Sequence, residues 1–232
     1  MLHVKNLTVQ YSPADPLVLQ DISFSLEPAE RVALIGANGA GKSTLLLTLI
    51  GVIKPQGGAI TLGGIPMNQE RLRELRQLAG MVFQDPDNQL FMPTLVDDIG
   101  FGLRNYGFDE KTIEVRITAI LAQLGISHLK NRLSHKLSGG EKRLAALAGV
   151  LVMEPSLLLL DEPSAFLDPR SRRTLISILA GLPQTMLVAT HDLELARDLC
   201  PRTMLLKGGR VFAEGPTQDL LQDHTLLEHA GL

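Results

Sequence analysis

The sequence predicts an α/β fold, with a β-rich first third, a parallel core sheet and a helical insertion. Three observations carry this. A glycine-rich turn joins the apolar strand Val32–Ile35 to helical spacing at Leu45, Leu46, Leu49 and Ile50. Four consecutive leucines, Leu157–Leu160, read as a strand buried on both faces, as in a parallel sheet covered by helices. Between them, from about Asp85 to Pro155, the apolar residues recur at helical intervals.

In order along the chain, Leu2–Tyr11, Ile22–Leu26 and Arg31–Ile35 read as short strands separated by Pro13, Pro16 and Pro28. The helix after Gly41 ends near Gly51 and Pro55, and another covers Gln69–Gln77 before the strand Ala79–Phe83. Thr94 caps a helix with Asp97 and Asp98 in its first turn, where the helix dipole favours negative charge. Asp109 caps a second, with Ile113, Ile117, Ile120, Leu121 and Leu124 on one face, and a third starts near Ser138. Strands return at Leu157–Leu160, Met186–Ala189, Thr203–Leu206 and Arg210–Ala213, with a helix at Pro169 capped by Asp168.

A chain of 232 residues can bury a full core, and its 20% charged content is ordinary for a globular protein. The net charge of −3 gives no basic surface for nucleic acid or anionic lipid. One cysteine, Cys200, excludes an intramolecular disulfide. No signal peptide precedes the first strand, and no apolar run reaches the ~18 residues that span a bilayer, so a soluble protein is expected. The six histidines are scattered and read as surface residues, His224 and His229 included.

The segment Gly36-Ala37-Asn38-Gly39-Ala40-Gly41-Lys42-Ser43 matches G-x-x-x-x-G-K-[ST] at every fixed position, between a strand and a helix. Glycines let main-chain N–H groups close around phosphate oxygens, and the following helix start adds partial positive charge. Lys42 would reach the β- and γ-phosphates, and the Ser43 hydroxyl would ligate Mg²⁺. Asp161 and Glu162 follow the leucine strand, at the end where α/β sheets bind ligands. Asp161 suits Mg²⁺, and Glu162 suits a general base toward water.

A phosphate loop alone also fits kinases, GTPases, helicases and motors. Four further segments make the sequence resemble the ABC ATPase family over nearly its whole length. Leu137-Ser138-Gly139-Gly140-Glu141 looks like the family signature, with Glu141 where Gln is usual; the resemblance implies that it serves ATP held by a partner subunit. Gln84 matches the family glutamine that contacts Mg²⁺ or the attacking water. Ser164-Ala165-Phe166-Leu167-Asp168 resembles the loop that crosses the dimer interface, with Phe166 at a position that is often Gly. His191 resembles the switch histidine that bonds the γ-phosphate, and Tyr11 the aromatic that stacks on adenine. The resemblance implies a P-loop NTPase core with an N-terminal antiparallel β subdomain, one domain over 1–232 with a helical subdomain at 85–154. It also implies two copies that clamp ATP between Gly36–Thr44 of one and Ser138–Gly140 of the other.

Val82-Phe83-Gln84-Asp85-Pro86-Asp87-Asn88-Gln89-Leu90-Phe91, Asp97–Gly102 and Glu141–Gly149 closely resemble ATPases of energy-coupling factor importers. The closing Leu227–Leu232 is similar to the tail region of their cobalt and nickel branch. That implies a transmembrane coupling subunit and a substrate-binding membrane subunit as partners, a transition-metal ion (cobalt or nickel) as cargo with a vitamin as the alternative, and a peripheral place on the cytoplasmic face of the membrane. The short run after the last motif implies weak self-association without ATP. A non-transport ABC protein, a non-hydrolysing nucleotide-binding module, or the ATPase of an exporter or another importer are the rival readings.

Overall fold

The computed structural model describes all residues from Met1 to Leu232. In chain order its first elements are β1 (Leu2–Val9), β2 (Leu19–Leu26), β3 (Arg31–Ile35), α1 (Lys42–Leu49), β4 (Gly57–Leu62), β5 (Ile65–Pro66), α2 (Leu72–Leu78) and β6 (Ala79–Val82). The helices α3 (Leu95–Asn105), α4 (Glu110–Gln123) and α5 (Gly139–Leu151) follow. The chain then forms β7 (Leu157–Asp161), α6 (Pro169–Ala180), β8 (Thr185–Thr190), α7 (Leu193–Leu199), β9 (Arg202–Lys207), β10 (Arg210–Pro216), α8 (Thr217–Gln222) and α9 (His224–Ala230). Two compact units result: Met1–Met81 with Ser156–Glu162 and Pro183–Leu232, and Val82–Pro155 with Pro163–Leu182.

The first unit contains an antiparallel sheet ordered β2-β1-β4-β5 and the strands of a six-stranded sheet ordered β10-β9-β3-β8-β7-β6. In the latter, β3 runs parallel to β8 and β9, β7 runs parallel to β8, and β10 turns back along β9. All five residues of β7 and all six of β8 are buried, which is why these strands read as unbroken apolar runs. β1 instead buries Leu2, Val4, Leu7 and Val9 and exposes His3 and Lys5, the alternation of a sheet covered on one face.

In the second unit α3 packs against α4 and α5. Each helix start is closed by a short polar side chain that accepts a main-chain N–H: Thr94 from Asp97, Asp109 from Thr112, Ser138 from Glu141, and Asp168 from Arg170 and Ser171. Pro169 takes the first turn of α6, where its missing N–H costs nothing. Phe91 and Phe101 form an edge-to-face pair with centroids 4.8 Å apart, and Phe91 stays 64% exposed. The unit runs from Val82 to Pro155 and also takes in Pro163–Leu182, with α6.

Several elements differ from the sequence reading. β1 ends at Val9, so Tyr11 lies in the loop beyond it. The segment expected as one helix at Gln69–Gln77 is a 3₁₀ turn, Gln69–Arg71, followed by α2, because the Asn68 side chain caps the turn at the Arg71 N–H. β4 and β5 were not anticipated, and neither were α7, α8 and α9.

Candidate active site

The phosphate loop is built into the first unit by close main-chain approaches. A Cβ on Gly36 would stand 2.4 Å from the Leu206 carbonyl oxygen of β9, so only glycine fits there. Gly41, the residue before α1, has φ 106°, a left-handed conformation that glycine adopts without steric cost. The Gly209 N–H donates to the Ala40 carbonyl oxygen at 3.2 Å and ties the loop to the β9–β10 turn. Asn38, Gly39 and Ser43 remain exposed, while Gly36, Ala40, Lys42 and Thr44 are buried. Ala37 faces the tail of the chain: a Cβ on Gly231 would lie 3.7 Å from the Ala37 methyl.

Lys42 Nζ donates to the carbonyl oxygens of Gly36 at 2.7 Å and Ala37 at 3.4 Å, and lies 3.7 Å from Glu162 Oε1. Glu162 is 5% exposed, and its backbone is left-handed at φ 44°. Its Oε1 is 2.9 Å from His191 Nδ1; its Oε2 accepts from the Thr190 hydroxyl at 3.0 Å and the His191 N–H at 3.3 Å. Lys42, Glu162 and His191 therefore form one connected cluster. Thr190 belongs to it too, and its place as a β-branched residue in an apolar strand gave no warning of that.

Asp161 is buried at the C-terminal end of β7. With the exposed Ser43 hydroxyl on the first turn of α1, it gives the unit two hard oxygen donors, a set suited to Mg²⁺ whose shell phosphate oxygens and water would complete. The Tyr11 hydroxyl is 2.8 Å from Thr44 Oγ1, which holds the tyrosine against α1 with most of its surface in solvent.

Gln84, the Ser138–Glu141 turn and Asp168 belong to the second unit. Ser138 and Glu141 form a reciprocal capping box: the Ser138 N–H donates to Glu141 Oε2 at 2.7 Å, and the Glu141 N–H to Ser138 Oγ at 3.4 Å. The Ser138 N–H holds the Glu141 carboxyl below its ordinary pKa, and Arg132, 3.6 Å away, acts in the same direction. Gln84 is exposed, but its main chain is fixed by Arg143 of α5, whose two Nη atoms donate to the carbonyl oxygens of Phe83 at 2.7 Å and Gln84 at 2.6 Å. Gln89 adds a bond to the Ala146 carbonyl at 2.7 Å. Sequence reasoning passed over Arg143; its signal is a single buried arginine on a helix whose other buried positions are apolar. Ser138, Gly140, Leu167 and Asp168 line one hollow of about 510 Å³. A Cβ on Gly140 would stand 2.8 Å from Ser171 Oγ of α6, so that glycine serves close helix packing.

A strand-loop-helix phosphate site on a parallel sheet, with an acidic pair at the end of β7, one strand removed from β3, defines a phosphate-loop nucleotide-binding protein. The family described as ABC transporter matches residues 19–165, and the chain belongs to it. Among its relatives are an ABC transporter ATP-binding protein of Gloeobacter violaceus, 47% identical over all of this chain and 95% of the relative. The energy-coupling factor transporter ATP-binding protein EcfA of Methanothermobacter thermautotrophicus is 39% identical over all of this chain and 76% of its own length. The cobalt import ATP-binding protein CbiO of Rhodobacter capsulatus is 43% identical over 95% of this chain and 80% of its own. Among solved structures, CbiO1 of Clostridium perfringens, part of the complex cbiONQ, superposes with a TM-score of 0.87 at 36% identity, covering 99% of this chain and 94% of that one. The cassette MJ0796, solved as a dimer bound to ADP and Pi, gives 0.84 at 26% identity over 94% of this chain and 99% of that one. The chain is thus an ATP-binding transporter subunit whose ATP hydrolysis is coupled to transport, in a class that functions as dimers.

Proposed function

We propose that this chain powers an energy-coupling factor importer, as a homodimer bound peripherally to the cytoplasmic face of the plasma membrane, and that the cargo is cobalt or nickel ion. The observation that carries the reading is the similarity to CbiO and CbiO1 across nearly the whole chain. No helix is long and apolar enough to cross a membrane, which fits a subunit that relies on transmembrane coupling and substrate-binding partners. The exposed Phe91–Phe101 pair, flanked by Asp85 and Asp87, suits an amphipathic, Arg-bearing helix of the coupling subunit. Vitamin cargo is the second reading, favoured by the similarity to EcfA, whose name specifies the transporter class and no metal.

The residues divide the work as follows. Main-chain amides of Gly36–Thr44 surround the phosphates, Tyr11 stacks on adenine, and Lys42 leaves the Gly36 and Ala37 carbonyls for β- and γ-phosphate oxygens. Ser43 and Asp161 would hold Mg²⁺. Once bound, that ion neutralises charge on the phosphate oxygens. Glu162 takes a proton from the attacking water as its oxygen bonds to the γ-phosphorus, the bond to the β–γ bridging oxygen breaks, and ADP leaves. His191 donates to the γ-phosphate and orients Glu162. Ser138, Gly139, Gly140 and Glu141 of the second copy close over the same triphosphate, with Asp168 beside them. Loss of the γ-phosphate then opens the clamp between the two copies.

Vesicles carrying the chain with its membrane subunits should take up Co²⁺ or Ni²⁺ only with ATP. ATP-driven uptake of a vitamin and of neither ion would overturn the cargo; turnover unaffected by any membrane subunit would overturn the importer.

A further inference from the structure

We infer that Thr190 is a positioning residue that makes the two carboxylate oxygens of Glu162 unequal: it helps to fill Oε2 and so leaves Oε1 to take the proton of the attacking water. That role rests on Glu162 as the general base, as read above. An ionised carboxylate is an acceptor only, with two lone pairs on each oxygen. On Oε2 both are engaged, one by the Thr190 hydroxyl at 3.0 Å and one by the His191 main-chain N–H at 3.3 Å. Oε1 has His191 Nδ1 within hydrogen-bond distance at 2.9 Å, while Lys42 Nζ stands off at 3.7 Å. One lone pair of Oε1 therefore remains open.

The Thr190 hydroxyl is held to this task. It has a single proton to give. The Asp192 N–H donates to Thr190 Oγ1 at 3.0 Å, and Asp192 is itself fixed by capping α7 at the Leu195 N–H. That N–H occupies an acceptor position on Oγ1, and the hydroxyl proton is directed at Oε2. Thr190 is fully buried at the last position of β8, so solvent does not compete for it. The Glu162 N–H donates to the Ala189 carbonyl at 2.8 Å, which keeps the carboxylate beside Thr190. A proton on Oε2 would point at two fixed donors, so a protonated Glu162 carries it on Oε1. In the reaction the O–H bond of the water breaks and its proton goes to Oε1. The water oxygen bonds to the γ-phosphorus, and the bond to the β–γ bridging oxygen breaks with its electron pair leaving on ADP. Without the Thr190 hydroxyl a lone pair on Oε2 is freed, and the carboxylate can present either oxygen.

The test compares Thr190→Val and Thr190→Ser with the parent in steady-state ATP hydrolysis, measured on the full chain with its membrane subunits, in equilibrium ATP binding and in urea unfolding. Val keeps the branched shape and lacks the hydroxyl; Ser keeps the hydroxyl and lacks the methyl. Thr190→Val should lower kcat about 10- to 100-fold, the loss of a hydrogen bond to a charged group, with KM and ATP affinity unchanged. Thr190→Ser should recover most of that turnover, although the missing methyl makes it less stable than the parent in urea. Turnover then follows the hydroxyl and not the stability. A Thr190→Val chain at the parental kcat, or a Thr190→Ser chain as slow as Thr190→Val, overturns the division of the two oxygens. Glu162→Gln is the control. Parental turnover there overturns the general base and this role with it, whereas an inactive Glu162→Gln beside a fully active Thr190→Val overturns the role of Thr190 alone.

Discussion

Glu162 sits at φ 44° with both carboxylate oxygens engaged, by His191 and Lys42 on one side and by Thr190 and the His191 N–H on the other. A carboxylate held by so many donors is oriented before any water arrives, which suits its proposed role as proton acceptor because nothing need reorganise at the moment of reaction. Glu162→Gln keeps the shape and removes the basicity, so ATP binding should persist while phosphate release falls about 10²- to 10⁴-fold. Thr190→Val removes one donor to the carboxylate and should lower turnover with nucleotide affinity retained, read from steady-state kinetics against equilibrium binding. Gly36→Ala forces a methyl to within 2.4 Å of the Leu206 carbonyl, and should cost about 1–3 kcal/mol in urea unfolding. The sequence made Lys42 and Glu162 visible because a phosphate loop puts its lysine at a helix start and Glu162 directly follows a buried apolar strand. It hid Thr190, whose role appears only when β7 and β8 lie side by side.

At the scale of elements, α5 joins the signature turn at its N-terminus to the glutamine segment through Arg143 and Gln89. Truncating Arg143 to Ala leaves the Phe83 and Gln84 carbonyls without their charged donor, and should cost about 3 kcal/mol by denaturant unfolding. The cap of α6 gives a pH signature. The Ser171 hydroxyl, then its N–H, hold the Asp168 carboxyl below its ordinary pKa, so the charge stabilises the fold fully above that ordinary value. This contribution disappears as the pH falls through the lowered folded value. The stability gap between the parent and Asp168→Asn should stay constant near neutrality and shrink only in strongly acid solution. Caps were legible in advance because Thr94, Asp109, Ser138 and Asp168 act on N–H groups two or three residues away. β4 was not, since Gly57, Gly58, Gly63 and Gly64 frame it like a turn and its partner β1 lies far back in the chain. The helices α7, α8 and α9 are six or seven residues each, too short to show a period.

Considered as a whole molecule, the chain carries, in the proposed function, two anion-binding turns, Gly36–Ser43 in one unit and Ser138–Glu141 in the other, and each triphosphate is clamped between the first turn of one copy and the second turn of another. Gly139 offers a clean way to test that arrangement, because a Cβ there meets nothing within 4 Å and its position at the start of α5 favours an acidic side chain. Gly139→Asp should therefore fold normally while repelling phosphate, and Lys42→Ala removes the phosphate grip of the other turn. Each variant alone should be inactive. The decisive measurement is phosphate release from an equal mixture of the two: a mixed dimer regains one intact site, so turnover should reappear on mixing. A mixture that stays inactive, or a Gly139→Asp chain that turns over at the parental rate by itself, would contradict the account.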